Sequence, residues 1–182
     1  MIWLGANDAA LPVRDQHVPL ERFKANLSKF VWHVSSPESP RYSPDTRVIF
    51  MTPPPVNADQ WAARQAAKDP PGPRDREFEV TKTYAEAVKE VGAKEGVAVV
   101  DLWTTIYDAA GRVEKELSKF LTDGLHLNEA GYAVGVREVF GRAAEFGVLT
   151  AVLQIVFEEL NKTIAEKHPE YYHENLQFVF AP

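Results

Sequence analysis

The chain has 182 residues, 45% of them hydrophobic and 25% charged, and its formal net charge is −6. This length and composition are typical of one globular domain with a single core, and they exclude a disordered or membrane-embedded protein. No block of lysine or arginine interrupts the acidic balance, so we expect neither a nucleic acid nor a membrane as partner. The chain contains no cysteine, which excludes thiolate chemistry and favours a cytoplasmic protein.

The predicted elements alternate between strands and helices. The apolar run MIWLG, ending at Gly5, is typical of a buried parallel strand. Apolar residues then recur at helical spacing over residues 20–34, and Pro37 and Pro40 end that segment. Residues 47–52 are predicted as the second strand, because the three prolines at 53–55 lack the amide donors that a sheet needs.

The second half of the pattern is similar. Asn57 and Gln60 resemble a capping box for a short helix, and residues 78–91 predict a longer helix that ends between Gly92 and Gly96. Residues 97–103 are predicted as the third strand. A last helical region should begin after Asn128 and end at residues 168–169, His-Pro.

This alternation predicts an α/β fold in which helices cover both faces of a parallel sheet. Ligands of such sheets bind beyond the carboxyl ends of the strands. The candidate neighbourhood is therefore residues 5–8, residues 52–55 and the segment after Trp103.

Asp123 and His126 are the first candidates for chemistry, because they lie three residues apart in a loop that precedes a helix. A carboxylate that accepts the Nδ1 proton of a histidine leaves Nε2 free to act as a base. The alternative, an ordinary turn with a loop histidine, stays open on this pair alone.

The turn Gly5-Ala6-Asn7-Asp8 follows the first strand. Such a turn can direct the Asn7 amide into a pocket, where it would stabilise an oxyanion. Capping of the turn by Asn7 and Asp8 is the alternative.

In this order the two motifs resemble the third and fifth blocks of the SGNH/GDSL hydrolases. The segments GANDAALP, QHVPLERFKANL, TPPPV, VVDLWTTI, DGLHLNEAGY and NLQFVFAP resemble the isoamyl acetate-hydrolysing esterases over nearly the whole chain. The resemblance implies a three-layer αβα, flavodoxin-like fold that hydrolyses small, acetate-like carboxylic esters by a Ser-His-Asp mechanism without cofactor or metal. It makes Asp123 the orienting acid, His126 the base, and Asn7 with Gly5 the oxyanion hole. Further residues that could line the pocket, each of them more often structural, are Asp8, His17, Pro53 and Trp103.

The sequence also departs from that family. The family begins with a strand carrying Gly-Asp-Ser, which supplies the nucleophile, and a later block supplies an oxyanion-hole glycine; neither block occurs here. None of the serines lies in such a turn; they are Ser28, Ser35, Ser36, Ser39, Ser43 and Ser118. We therefore expect a partial domain over residues 1–182 that lacks the first two strands, leaving the edge of the MIWLG strand exposed to pair with another chain.

A second irregularity lies at residues 136–154. GYAV would normally run directly into VFEELNKTIAEKHPE, and the intervening residues are interpreted as an insertion or a retained intron. A simple extension of the helix is the alternative, because apolar spacing persists. Gly135, Gly141 and Gly147 argue against one uninterrupted helix.

Three functions follow from these observations. The first is an esterase of the SGNH type acting on a small ester, with little turnover by these 182 residues alone because the nucleophile is missing. The second is a catalytically inactive member or fragment that binds a ligand or a partner through the remaining pocket and the exposed edge strand, the partner being a second copy if the chain forms a homo-oligomer. The third, metal-dependent hydrolysis through Asp8, Asp123 and His126, lacks a histidine-rich ligand pattern.

Overall fold

The computed structural model describes residues 1–145, with side chains as far as Glu138. Three short strands, β1 (Ile2–Trp3), β2 (Ile49–Met51) and β3 (Ala98–Val100), form a parallel sheet in the order β1-β2-β3. The helices are α1 (Leu20–Ser35), α2 (Ala58–Ala66), α3 (Phe78–Glu95), α4 (Leu102–Ala109) and α5 (Glu129–Glu145), and a 3₁₀ helix spans Glu114–Lys119. The predicted alternation of parallel strands with helices is confirmed.

Hydrophobic side chains pack on both faces of the sheet. Phe50 and Met51 are neighbours on β2, so their side chains point to opposite faces. Phe50 packs in one buried cluster with Phe23 of α1 and Val88 of α3. Met51 packs in a second buried cluster, together with residues of the other helices and of the loop that carries Asp123 and His126, among them Trp61, Leu102, Leu125 and Leu127. This two-sided burial confirms the three-layer α/β class.

Several predicted ends of helices are confirmed by their caps. The Asn57 side chain accepts a 3.1 Å hydrogen bond from the Gln60 amide at the start of α2. The capping box is only half formed, because the Gln60 side chain instead donates to the Thr122 carbonyl at 3.4 Å. Gly96, in the left-handed region at φ 66°, ends α3.

The third strand is shorter than the predicted range of residues 97–103, because β3 ends at Val100 and helix α4 begins at Leu102. Asp101 terminates the strand, since its carboxylate accepts the Thr104 amide, at 3.2 Å, and so caps the new helix. Neither α4 nor the 3₁₀ helix is predicted by the apolar pattern.

The expected interruption at Gly135 and Gly141 is also wrong, because α5 passes through both of these residues. The glycines of this helix instead permit close packing: a Cβ on Gly131 would lie 2.3 Å from the Phe120 carbonyl oxygen, and one on Gly135 would lie 3.0 Å from a Leu102 methyl. The start of α5 after Asn128 is confirmed, with the Asn128 side chain accepting the Gly131 amide at 3.0 Å. Gly147, residues 146–154 and the predicted end at residues 168–169 lie outside the described residues.

A search of the described helices for a bilayer-spanning segment, one both long enough and sufficiently apolar, finds none.

Candidate active site

Asp123 and His126 form the pair that their spacing predicts. The Asp123 Oδ2 atom lies 2.9 Å from His126 Nδ1. The carboxylate is largely enclosed, with a side-chain exposure of 11%, whereas the imidazole is 68% exposed. In the part of the chain that the structure describes, Nε2 of His126 has no hydrogen-bond partner, so this nitrogen is free to accept a proton.

The loop backbone holds the Asp123 carboxylate in place. Its Oδ1 atom accepts the amides of Leu125, at 3.1 Å, and of His126, at 3.0 Å. Partial burial acts to raise the pKa of Asp123, but the hydrogen bonds from the backbone and ring of His126 and from the Leu125 amide outweigh it and lower the pKa below the ordinary value. Asp123 is therefore an anion at neutral pH, as an orienting acid must be.

A positively charged side chain shares the Asp123 carboxylate with His126. Nε of Arg64, on α2, lies 3.3 Å from the same Oδ2 atom that faces His126. The Arg64 side chain is 56% exposed, so solvent weakens this ion pair. It nevertheless places a positive charge beside Asp123 and links α2 to the loop that carries Asp123 and His126.

Gly124 lets the loop approach the start of α2. Its φ of 94° lies in the left-handed region, and a Cβ there would lie 2.5 Å from the Trp61 amide nitrogen and 2.7 Å from the Asn57 carbonyl oxygen. The Asn57 amide donates to the Gly124 carbonyl at 2.9 Å. The Trp61 ring meets the His126 ring edge to face, at 5.9 Å between centroids. Helix α2 thus supports the imidazole through the Trp61 ring.

The turn at residues 5–8 begins in a conformation that favours glycine. Gly5 has φ 114°, and a Cβ there would lie 3.0 Å from the Pro53 ring. Its amide donates to Asp8 Oδ2 at 3.0 Å, so an oxyanion would have to displace this carboxylate to reach the Gly5 amide. Asn7 is exposed at the tip of the turn. Its side-chain oxygen accepts from Arg76 Nη2 at 3.4 Å.

A buried Asp-Arg pair links the turn at residues 5–8 to Trp61, the side chain that packs against His126. Arg76 and Asp75 are 1% and 2% exposed, and Arg76 Nη1 lies 3.3 Å from Asp75 Oδ1. Arg76 reaches the Ala6 carbonyl at 3.2 Å, and Asp75 accepts the Trp61 indole N–H at 2.6 Å. Asn7 and His126 are therefore connected through Arg76, Asp75 and Trp61.

The remaining predicted pocket residues lie in different surroundings. Nδ1 of His17 is 2.6 Å from the Ala10 carbonyl oxygen, in the loop that follows the turn. Pro53 is buried against Gly5. Trp103 is only 4% exposed and packs between Phe78 and Tyr107, with ring centroids about 5 Å away, so it belongs to the hydrophobic core.

The serine hydroxyls are engaged away from His126. Ser28 bonds to Glu95, Ser43 to Thr46, and Ser118 to the Lys115 carbonyl. The other three make local bonds near the end of α1: Ser35 to Val31, Ser39 to His33, and Ser36 with the Glu38 amide. Across residues 1–138, whose side chains are described, no three carboxylate or imidazole groups converge as a metal site would require.

Four residues that support the site are not predicted from the sequence: Trp61, Arg64, Asp75 and Arg76. Trp61 and Arg64 lie about one helical turn apart on α2, a short helix to which the sequence assigned no role in the site. Asp75 and Arg76 lie in the run PRDREF, where they look like ordinary surface charges. The one available signal was their position shortly before Phe78, the apolar residue that starts α3, from which only Glu77 separates them.

The parallel sheet, with helices packed on both faces, defines an α/β protein, and one of its loops carries the Asp-His pair. The chain belongs to the GDSL-like Lipase/Acylhydrolase family, whose model matches residues 1–134.

Among curated relatives, a GDSL esterase/lipase of Arabidopsis thaliana is 33% identical over 150 residues, covering 81% of this chain and 58% of the relative. An isoamyl acetate-hydrolyzing esterase 1 homolog of Homo sapiens is 36% identical over 135 residues, covering 71% of this chain and 49% of the relative. The chain thus spans about half the length of the curated relatives it matches.

Among solved structures, a lipase/acylhydrolase from Enterococcus faecalis matches with 28% identity and a TM-score of 0.50, covering 78% of this chain and 60% of that one. An acetylxylan esterase from Geobacillus stearothermophilus matches with 19% identity and a TM-score of 0.54, covering 81% and 58% respectively. The second match supports the fold alone.

Proposed function

We propose that this chain carries the acid and base of a serine esterase that hydrolyses small, acetate-like carboxylic esters. The observation that carries the proposal is the 2.9 Å contact between Asp123 Oδ2 and His126 Nδ1, with Nε2 open on an exposed ring. In acyl transfer, Nε2 would take the proton of the attacking hydroxyl and then return it to the leaving alcohol. Asp123 would stabilise the imidazolium formed between these steps.

The substrate class rests on the relatives. Names that include isoamyl acetate hydrolysis belong to proteins that are 36% identical over 135 residues, and the matched region contains both Asn7 and His126. The Asn7 amide would donate to the oxyanion of the tetrahedral intermediate, a contribution worth about 10²- to 10³-fold in rate. No cofactor enters this mechanism.

The nucleophile is proposed to come from outside these 182 residues. Each of the six serines is bonded elsewhere, and none precedes a helix at the end of a strand in the way a nucleophile does. A triad without its nucleophile loses about 10⁶-fold in rate. We therefore expect the isolated 182-residue polypeptide to hydrolyse esters no faster than its own His126→Ala variant.

The test has two arms, both measured with p-nitrophenyl acetate. The first compares the 182-residue polypeptide with its His126→Ala variant; clear His126-dependent hydrolysis would contradict the external nucleophile. The second reads the coding sequence upstream of Met1 and assays the longer product. An in-frame Gly-Asp-Ser and hydrolysis that His126→Ala reduces by about 10⁴-fold or more are the expected results. An active longer chain whose rate is unchanged by His126→Ala and Asp123→Asn would reject the proposed acid and base.

The free edge of β1 is the proposed self-association surface. Among the described residues β1 pairs only with β2. Trp3, in the strand, is 39% exposed, and the flanking residues Met1 and Leu4 are 68% and 44% exposed. An apolar edge of this kind pairs readily with a second copy. Leu4→Lys is expected to lower the mass measured by light scattering, whereas the control Val13→Lys, at an exposed position outside the strand, should not. An unchanged mass in Leu4→Lys would contradict this surface.

We place the proposed esterase activity in the cytoplasm, because a cysteine-free chain is suited to a reducing compartment.

A further inference from the structure

Arg76 is the largest of the fully buried side chains in the described part of the molecule. A guanidinium taken out of water is costly unless acceptors surround it. Asp75 supplies one charge partner for Arg76, and the guanidinium makes further contacts with the turn at residues 5–8.

Two of the acceptors of Arg76 lie on the turn at residues 5–8. Nε donates to the Ala6 carbonyl at 3.2 Å and Nη2 to the Asn7 side chain at 3.4 Å, while Nη1 donates to the Asp75 carbonyl at 3.1 Å. A guanidinium has donors only. The Asn7 amide must therefore turn its oxygen toward Arg76 and its NH₂ group away from it.

We propose that Arg76 is the positioning residue of the oxyanion hole: it fixes the Asn7 amide so that Nδ2, and not the oxygen, faces the substrate. This inference rests on the proposed esterase function and extends it to a residue that does not touch the substrate. Among the described residues, Asn7 Nδ2 makes no hydrogen bond, so both of its protons remain available to an oxyanion.

The same buried pair also supports the base. Asp75 accepts the indole N–H of Trp61 at 2.6 Å, and the Arg76 guanidinium lies over the Trp61 ring at 6.0 Å. Trp61 in turn contacts the His126 ring. The Asp75-Arg76 pair thus contacts both the oxyanion donor, Asn7, and the ring that packs against the imidazole, Trp61.

Arg14 provides a matched control. It is ion-paired with the same Asp75 carboxylate, but no contact joins it to Asn7 among the residues that the structure describes. A purely stabilising role for the buried charges would be disturbed by replacing either arginine. A positioning role at Asn7 should be disturbed only by replacing Arg76.

The experiment follows the side-chain NH₂ resonances of Asn7 by ¹⁵N NMR in the full chain, assigned through their loss in Asn7→Ala. Arg76→Met is expected to shift these resonances toward the values of a freely rotating amide, whereas Arg14→Met should leave them in place. Arg76→Lys keeps the charge beside Asp75 without the planar fork, so it should fold and still release the amide. Asn7 resonances that are unchanged in the folded Arg76→Lys protein would overturn the proposal.

A second readout separates this inference from the proposed function. Sodium acetate, titrated into the wild type, should shift the Asn7 NH₂ resonances, and Arg76→Lys should weaken this binding by about tenfold while Arg14→Met does not. If acetate perturbs no resonance near Asn7 in the wild type, the proposed function loses its oxyanion site, and the amide resonances alone decide the orienting role of Arg76. Equal weakening by both arginine variants would contradict a specific role for Arg76.

Discussion

The protonation pattern of His126 depends on a single carboxylate oxygen. Asp123 Oδ2 accepts the Nδ1 proton, while Oδ1 is occupied by two backbone amides. In Asp123→Asn, the amide oxygen would stay with the backbone donors and the NH₂ group would face Nδ1. Nδ1 would then become the acceptor, and the ring proton would move to Nε2.

We expect ¹⁵N spectra of the neutral imidazole to give the Nδ1–H tautomer in the wild type and the Nε2–H tautomer in Asp123→Asn. The resonances are assigned by their loss in His126→Ala. This measurement does not require turnover, so it tests the acid and base independently of the nucleophile. The same tautomer in both proteins would reject Asp123 as the orienting residue.

Gly124 combines two requirements that no other residue type meets. Gly124→Ala would place a methyl 2.5 Å from the Trp61 nitrogen at a φ of 94°. Gly111→Ala is the matched control, because Gly111 also has a positive φ, 66°, but nothing lies within 4 Å of the position that its methyl would take. In urea unfolding, Gly111→Ala should lower the free energy of unfolding by about 1 kcal/mol, from backbone strain alone. Gly124→Ala should lower it by clearly more. Equal losses would mean that the close approach to α2 does not matter.

The N-terminus of α2 holds the loop that carries Asp123 and His126, because the Asn57 amide donates to the Gly124 carbonyl. Asn57→Ala removes the acceptor for the Gln60 amide and should lower the free energy of unfolding by about 1 kcal/mol. Asn57→Ser keeps a cap oxygen and, like Asn57→Ala, gives up the 3.4 Å bond from the Asn57 Nδ2 atom to the Lys115 carbonyl, so it should retain most of the stability that the cap supplies. Denaturant midpoints measure both variants, and a loss as large in Asn57→Ser as in Asn57→Ala would show that capping is not the cause.

The helices and strands differ in how far local sequence determines them. Apolar spacing predicted α1 and α3, and the Asn57 and Asn128 caps predicted where α2 and α5 begin. The predicted range of the third strand was too long because Leu102 and Trp103 are as apolar as the strand before them. Asp101 separates the two elements: it caps α4 through the Thr104 amide, a local signal that the apolar pattern does not contain, and it also bonds to Lys89 at 3.1 Å. The glycines of α5 led to a wrong prediction of a helix break for a related reason. Gly131 and Gly135 allow close packing against Phe120 and Leu102, which lie outside the helix.

At the scale of the whole molecule, the parts of the site that are contiguous in sequence were predictable. Asp123 and His126 lie in one loop, and Asn7 lies in one turn. The supporting network was not predictable, because Asn7, Trp61 and Arg76 meet only through tertiary folding. A buried arginine cannot be distinguished in sequence from an exposed one when its partner, Asp75, is also a common surface residue.

The buried carboxylates predict how the whole fold responds to acid. Burial acts to raise the pKa of Asp75, but the hydrogen bonds from Trp61 and Arg14 and the charges of Arg76 and Arg14 lower it, and the pKa of Asp123 is lowered as well. Both groups are therefore more acidic in the folded chain than in the unfolded chain, where the pKa of Asp is about 3.9. Their stabilisation is complete above that value and is lost as the pH falls through the pKa of the folded state.

We therefore expect the free energy of unfolding to fall as the pH is lowered from about 5 toward 3. Asp123→Asn should flatten this dependence, because the variant has one fewer proton to bind on unfolding in this window. Asp45→Asn, at an exposed position, controls for the loss of one surface carboxylate. Guanidinium denaturation at a series of pH values measures the slopes, and an Asp123→Asn slope as steep as that of the wild type would contradict the lowered pKa of Asp123.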